Sequence, residues 1–245
     1  MKKLCIVLGI AAVALCSAVD PMTRATTPVA RWEDTKTKQG YQRFQEKKAQ
    51  AEKEGDKIKI VFLGDSITHF WEEKTTGKAV YEKEFVPYGV IDLANAGDRT
   101  QHMLYIIEKS GVLENLHPQL VVMMIGTNNL GAGECGIRET VAAIQKSVAG
   151  VRRVCPDAKI LLFGIFPRGD GKSDPRFGAP IAGVNAEIAK LADGKEVFYC
   201  DITDQLLEAD GTLSRDIMPD LLHPSQKGYE IWAAAIRPYV EKYVK

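Results

Sequence analysis

Five short, continuous apolar runs, most of them parted by stretches of helical spacing, constrain this chain more than any other feature. They are Lys57 to Leu63, Val90 to Ala94, Gln119 to Ile125, Lys159 to Phe166 and Glu196 to Asp201. Strands that are apolar without a break, and not alternating, are those buried on both faces, which is the condition of a parallel sheet covered by helices. Helical spacing fills Thr100 to Lys109, Ile137 to Val154 and Ile181 to Leu191, and Ser225 to Lys242 closes the chain. The pattern predicts an α/β protein, a three-layer α/β/α sandwich with a five-stranded parallel sheet and right-handed crossovers. Before the first strand, Val19 to Thr35 is rich in Pro, Thr and charge and reads as an irregular arm, and Thr37 to Lys53 as a surface helix with a thin apolar stripe. Residues 72–88 are mixed and aromatic, and no long element is expected there.

Where those strands end, chemistry accumulates. Val61-Phe62-Leu63 runs into Gly64-Asp65-Ser66-Ile67-Thr68, a Gly-Asp-Ser turn with a helix start behind it. Open α/β sheets gather ligands at the carboxyl ends of their strands, so the Ser66 hydroxyl would face a crevice. The same residues also suit a helix cap, since Asp and Ser are favoured there. Near the far end, Asp220-Leu221-Leu222-His223-Pro224 supplies a carboxylate and an imidazole three residues apart. A hydroxyl, a base and a carboxylate that orients the base are the parts of an activated nucleophile. Two further strand ends, Asn95-Ala96-Gly97-Asp98-Arg99-Thr100 and Gly126-Thr127-Asn128-Asn129, would lie on the same rim. A backbone N–H at Gly97 and the Asn128 amide could stabilise a developing oxyanion, although Gly and Asn also dominate ordinary turns.

The four blocks Gly64-Asp65-Ser66-Ile67-Thr68, Asn95-Ala96-Gly97-Asp98, Gly126-Thr127-Asn128-Asn129 and Asp220-Leu221-Leu222-His223-Pro224 together resemble those of the SGNH hydrolases, or GDSL esterases/lipases, in order and spacing over residues 57–240. Within that family, Gly97-Asp98-Arg99-Thr100-Gln101-His102 and Pro167-Arg168-Gly169 are most similar to the catalytic-subunit type of platelet-activating-factor acetylhydrolase and to bacterial acetylesterases acting on sugars. The resemblance implies a flavodoxin-like sheet and a serine esterase needing no cofactor or metal. It implies Ser66 as nucleophile, His223 as base then acid, Asp220 as its orienting carboxylate, and the Ser66 and Gly97 N–H groups with the Asn128 side chain as oxyanion hole. Asn129, Trp71 and Arg168 are candidate substrate contacts. The second block departs from the glycine-rich form common in relatives, with Ala94 and Ala96 in place, which implies a stiffer loop.

Composition bears on substrate and compartment. The formal net charge is zero, so no broad basic surface points to nucleic acid. Met1-Lys2-Lys3, an apolar run from Leu4 to Leu15 and Cys16-Ser17-Ala18 read as an export signal, too short to span a bilayer comfortably, with Leu15 before Cys16 arguing against a lipoprotein. The expected organisation is residues 1–18 as signal, 19–56 as arm and helix, and 57–245 as the hydrolase domain, with no membrane span in the mature chain. Of the remaining cysteines, Cys135 and Cys155 flank a predicted helix and lie too far apart to join, and Cys200 reads as a small core residue. A periplasmic or secreted esterase releasing small acyl groups, acetyl above all, from a small-molecule or oligosaccharide ester is the leading expectation. A lysophospholipase or thioesterase, a carbohydrate-binding relative without activity, and a glycosidase-type pair of Asp65 and Asp98 are the alternatives. His69 suits either the cleft or a helix surface, and His102 a local helix-start contact. Trp32, Trp71 and Trp232 could stack on sugar rings, Trp71 being nearest Ser66 in the chain.

Overall fold

The computed structural model describes residues 19–245, so the export signal expected over residues 1–18 lies outside the described residues. Helices α1 (Pro21–Thr26), α2 (Arg31–Thr35) and α3 (Lys38–Glu54) precede strand β1 (Ile60–Gly64). Then come α4 (Ser66–His69), α5 (Lys78–Glu84), β2 (Val90–Asp92), α6 (Thr100–Glu108), β3 (Leu120–Met124) and α7 (Thr127–Gly131). The chain closes with α8 (Ile137–Val154), β4 (Lys159–Phe163), α9 (Gly178–Ile188), β5 (Val197–Cys200), α10 (Thr203–Leu206) and α11 (Gln226–Tyr243). All five strands are parallel in the order β2-β1-β3-β4-β5, the flavodoxin-like arrangement expected.

The continuous apolar runs are explained by which face each residue serves. Val61, Leu63, Val121, Met123, Ile160 and Leu162 point into one core with α6, α8 and α9. Their neighbours Ile60, Phe62, Val122, Met124, Leu161 and Phe163 point into the other, with α5 and α11. Every second residue thus meets a different helical layer, and no strand position along β1 or β3 is left for a polar side chain. The long helix α8 begins and ends where its spacing predicts, its first turn closed by Gly136 N–H donating to Glu139 Oε2 at 3.0 Å.

One expectation is corrected. The arm is not irregular: Asp20 caps α1 by accepting from Thr23 N–H at 2.9 Å, Pro21 stands at its first position, and α2 follows. Helices of six and five residues are too short to hold alone, and these are held by docking, α1 on α6 and α8 and α2 on α3. Residues 72–88 contain α5, a seven-residue helix whose Val80 and Tyr81 are buried. Cys135, Cys155 and Cys200 are all free thiols, and no helix among the described residues is long and apolar enough to cross a membrane.

Candidate active site

Because β1 lies between β2 and β3, the loops leaving these strands sit side by side at one sheet edge. The first makes a tight turn. Asp65 caps α4 by accepting from Ile67 N–H at 3.0 Å, and Ser66 occupies the first helical position. The cap and nucleophile readings of this turn are therefore compatible: Asp65 does the capping and leaves the Ser66 hydroxyl free. Burial pushes the Asp65 carboxyl up to about 7 against the opposing pull of the Ile67 N–H and of the Arg168 charge.

The Ser66 hydroxyl meets an imidazole from 157 residues downstream, with Oγ 2.9 Å from His223 Nε2. His223 Nδ1 lies 2.6 Å from Asp220 Oδ2. The other Asp220 oxygen accepts from the backbone N–H groups of Leu222, at 3.0 Å, and His223, at 2.7 Å, so one carboxylate shapes the turn and orients the ring. Partial burial works to raise the Asp220 carboxyl, but the hydrogen bonds and charge of His223 outweigh it and hold it below the usual carboxylate range. With Asp220 ionised, Nδ1 carries the imidazole proton and Nε2 is left to accept from Ser66. The turn costs something: Leu221 has φ 61, a left-handed conformation that a branched side chain resists. It is held by Leu221 N–H donating to the Met218 carbonyl and by Gly169 N–H donating to the Leu221 carbonyl, both at 2.9 Å.

Hydrogen bonds stitch the three rim loops together. Asn128 Nδ2 donates to the Asp98 carbonyl at 2.8 Å, joining the third loop to the second and leaving its other N–H without a protein acceptor among the described residues. Ala96 N–H donates to His69 Nδ1 at 3.1 Å, joining the second to the first. Burial first, then the nearby Arg43 charge, pushes the His69 imidazole down to about 4, so it stays neutral and able to accept at neutral pH. Arg43 Nε donates to the Ala94 carbonyl at 2.7 Å. Amid these anchors the N–H groups of Ser66 and Gly97 donate to no protein acceptor among the described residues. A negative oxygen placed before Ser66 would find unspent donors here.

Other expectations fall away. Trp71 is wholly buried, its ring 4.4 Å from that of Tyr229 and 5.0 Å from that of Trp232, and it offers no face to a ligand. Closeness in sequence to Ser66 misled because the 3-10 turn Phe70–Glu72 swings the indole inward. Its neighbour Phe70 takes the place expected of it, lying 4.9 Å from the His223 ring, a contact that an aromatic residue four positions after the serine could have suggested. Asn129 is buried and spends its amide on Thr100, accepting from the backbone N–H at 3.0 Å and donating to Oγ1 at 2.9 Å, so it supports the loop and is not a substrate contact. Arg168 does stand near the rim: Nη1 donates to the Thr127 carbonyl at 3.2 Å and the guanidinium lies over the Phe177 ring. Asp65 and Asp98 are both buried, which removes the glycosidase-type pair. Trp32 packs against Tyr41, Phe44 and Tyr105, and Trp232 is buried in the core.

Known proteins resemble this chain in sequence and in fold. Residues 62–231 match the model of the GDSL-like Lipase/Acylhydrolase family. The human platelet-activating factor acetylhydrolase IB subunit alpha1 is 29% identical over 175 residues, covering 69% of this chain and 70% of that protein. Among solved structures, a GDSL-like lipase from Bacteroides thetaiotaomicron is similar with a TM-score of 0.64 at 23% identity, over 82% of this chain and 97% of that one. A catalytic mutant of an acetylxylan esterase from Geobacillus stearothermophilus superposes with a TM-score of 0.56 at 16% identity, over 77% of this chain and 94% of that one.

Proposed function

Since this chain belongs to the GDSL-like lipase/acylhydrolase family, we propose that it is a serine esterase that removes small acyl groups, acetyl above all, from carbohydrate esters. The observation that carries the reading is the unbroken chain of hydrogen bonds from Ser66 Oγ through the His223 ring to the Asp220 carboxylate. In this reading His223 Nε2 takes the Ser66 proton as Oγ attacks the ester carbonyl. The oxygen that becomes negative is met by the N–H groups of Ser66 and Gly97 and by the second N–H of Asn128. Collapse of the tetrahedral intermediate breaks the bond to the alkoxy group, which leaves with the proton held by His223. Water then enters, gives a proton to His223, attacks the acyl-enzyme and releases the acid, with Ser66 recovering its proton. Asp220 stays ionised throughout and stabilises the imidazolium.

Acetyl is favoured by the kinship with a protein named as an acetylhydrolase. A soluble polar alcohol portion is favoured over a lipid surface by what surrounds the serine. The large exposed apolar side chains, Val19, Tyr41, Val86, Tyr88 and Ile137, are scattered, and none belongs to the loops bearing Ser66, Gly97, Asn128 or His223. Arg168 beside the Thr127 turn would contact the portion beyond the acyl group. The export signal read at the amino terminus suits a periplasmic or secreted enzyme meeting acetylated glycans. The kinship to a platelet-activating factor acetylhydrolase supports a second reading, in which the acetyl ester is carried by a lipid.

The test is a comparison of kcat/KM across p-nitrophenyl esters of increasing chain length, then of acetylated xylo-oligosaccharide against platelet-activating factor and lysophosphatidylcholine. Preference for acetate and for the glycan is expected. A preference for the acetylated phospholipid establishes the second reading, and a preference for long acyl chains contradicts both.

A further inference from the structure

Residues 19–35 precede the stretch that matches the family model, yet they carry a side chain into the second rim loop. Arg31, the first residue of α2, donates from Nη1 to the Gly97 carbonyl at 2.6 Å. Its guanidinium covers the open side of the glycine so closely that a Cβ on Gly97 would sit 2.6 Å from Nη2. The Arg31 Nε is 3.7 Å from Oδ1 of the buried Asp98 carboxylate. The segment around Arg31 is firmly seated. The Trp32 ring packs 4.7 Å from Phe44 and 5.5 Å from Tyr105, Asp34 Oδ2 is 2.7 Å from His102 Nε2, and Thr100 Oγ1 donates to the Ala25 carbonyl at 2.9 Å.

We propose that Arg31 is a positioning residue for the oxyanion hole, an inference that rests on the esterase reading. The Gly97 N–H belongs to the Ala96–Gly97 peptide plane and has no protein acceptor to aim it among the described residues. Its direction is set by what holds the chain on either side. Upstream, Ala96 N–H is tied to His69 Nδ1; downstream, the Gly97 carbonyl is tied to Arg31. Gly97 itself, at φ 78 and without a Cβ, is the softest joint in the loop. Arg31 stiffens that joint twice, by fixing the carbonyl and by filling the space over the Cα. Removing it frees the peptide plane to rock, and a donor that rocks loses most of its advantage in the transition state while the ground-state ester scarcely notices.

The experiment compares the full chain with Arg31→Met, which keeps the apolar stem and loses the donor, and with Arg31→Ala. Steady-state kinetics on p-nitrophenyl acetate are read beside inhibition by an alkyl boronic acid, whose tetrahedral adduct on Ser66 puts an oxygen in the hole. Both variants should lose about 10–100-fold in kcat with KM nearly unchanged, as expected for a displaced catalytic group. Boronate affinity should weaken by a similar factor, and millimolar methylguanidinium should restore part of the Arg31→Ala rate. Should Arg31→Ala not fold, Arg31→Met carries the test alone. A kcat at the parent level, a loss confined to KM, or a loss of kcat with boronate affinity intact overturns the positioning role. Ser66→Ala run in parallel separates the two failures: turnover surviving in that variant sinks the esterase reading, whereas a dead Ser66→Ala beside a fully active Arg31→Met sinks only the role of Arg31.

Discussion

Among the described residues, two hydrogen-bonded aspartate–histidine pairs, His223 with Asp220 and His102 with Asp34, have nearly equal geometry, and they differ in what the second ring nitrogen faces. In one, His223 Nδ1 is 2.6 Å from Asp220 and Nε2 is 2.9 Å from the Ser66 hydroxyl. In the other, His102 Nε2 is 2.7 Å from Asp34 and Nδ1 accepts from the Arg99 backbone N–H at 3.0 Å. An amide proton cannot be taken at neutral pH, so the second pair is a fastener: it ties the arm to the start of α6. A hydroxyl proton can be shared, so the first pair is competent for proton transfer. Surroundings sharpen the contrast. The His102 side chain is 1% exposed and burial, ahead of the opposing pull of Asp34, pushes it down to about 4, whereas the His223 side chain is 23% exposed and open to solvent. A carboxylate beside an imidazole is thus not a signature of catalysis until the far nitrogen is inspected.

Breaking the two pairs in turn should separate them cleanly. The largest effect is expected from His223→Ala, which should lower kcat on p-nitrophenyl acetate by about 10⁴–10⁶-fold, with a thermal midpoint close to the parent. Asp220→Asn should follow at about 10²–10⁴-fold in kcat, again with little change in stability, because it removes the partner that selects the ring tautomer. Its counterpart Asp34→Asn should reverse the pattern, costing about 1 kcal/mol of stability in urea titrations by weakening a charged hydrogen bond between an exposed carboxylate and a buried ring, while folded protein keeps most of its turnover. If Asp34→Asn proved the more damaging to kcat, the division of labour drawn here would be wrong.

The smallest effect concerns the carboxylate beside Ser66. Asp65 is raised by burial to about 7 in the folded state and returns to an ordinary carboxylate value on unfolding. Between those values the folded chain holds a proton that the unfolded chain has released, so the stability this group contributes is full in acid and is lost as pH rises toward 7. Asp65→Asn cannot lose that proton. The difference in midpoint between variant and parent should therefore shift in favour of the variant as pH rises from about 4 to about 7; a constant difference would mean that Asp65 ionises normally.

Much of the first pair was legible in the sequence, and little of the second. Asp220 and His223 are near neighbours in the chain and belong to one of four motif blocks, so local reading reaches them. The sheet was legible for the same reason: runs such as Leu120–Met124 are buried on both sides, and that leaves a local trace. The Asp34–His102 contact joins residues 68 apart through short helices whose existence depends on docking, and no local periodicity announces it. Trp71 failed for a related cause, since direction of a side chain after a tight turn is decided by the core it meets. Asn129 stands beside Asn128 in an identical residue type, and only the long-range partner Thr100 tells the supporting amide from the one left facing the rim.

If the Ser66 hydroxyl is a nucleophile primed by His223, a reagent that traps activated serines should find it and depend on that imidazole. The parent protein is incubated with a fluorophosphonate, followed by intact mass and peptide mapping, with His223→Ala treated alongside. One adduct per chain on Ser66 is predicted, forming orders of magnitude more slowly in His223→Ala. Labelling at another residue, or an undiminished rate at Ser66 without the imidazole, would exclude a Ser66 nucleophile activated by His223.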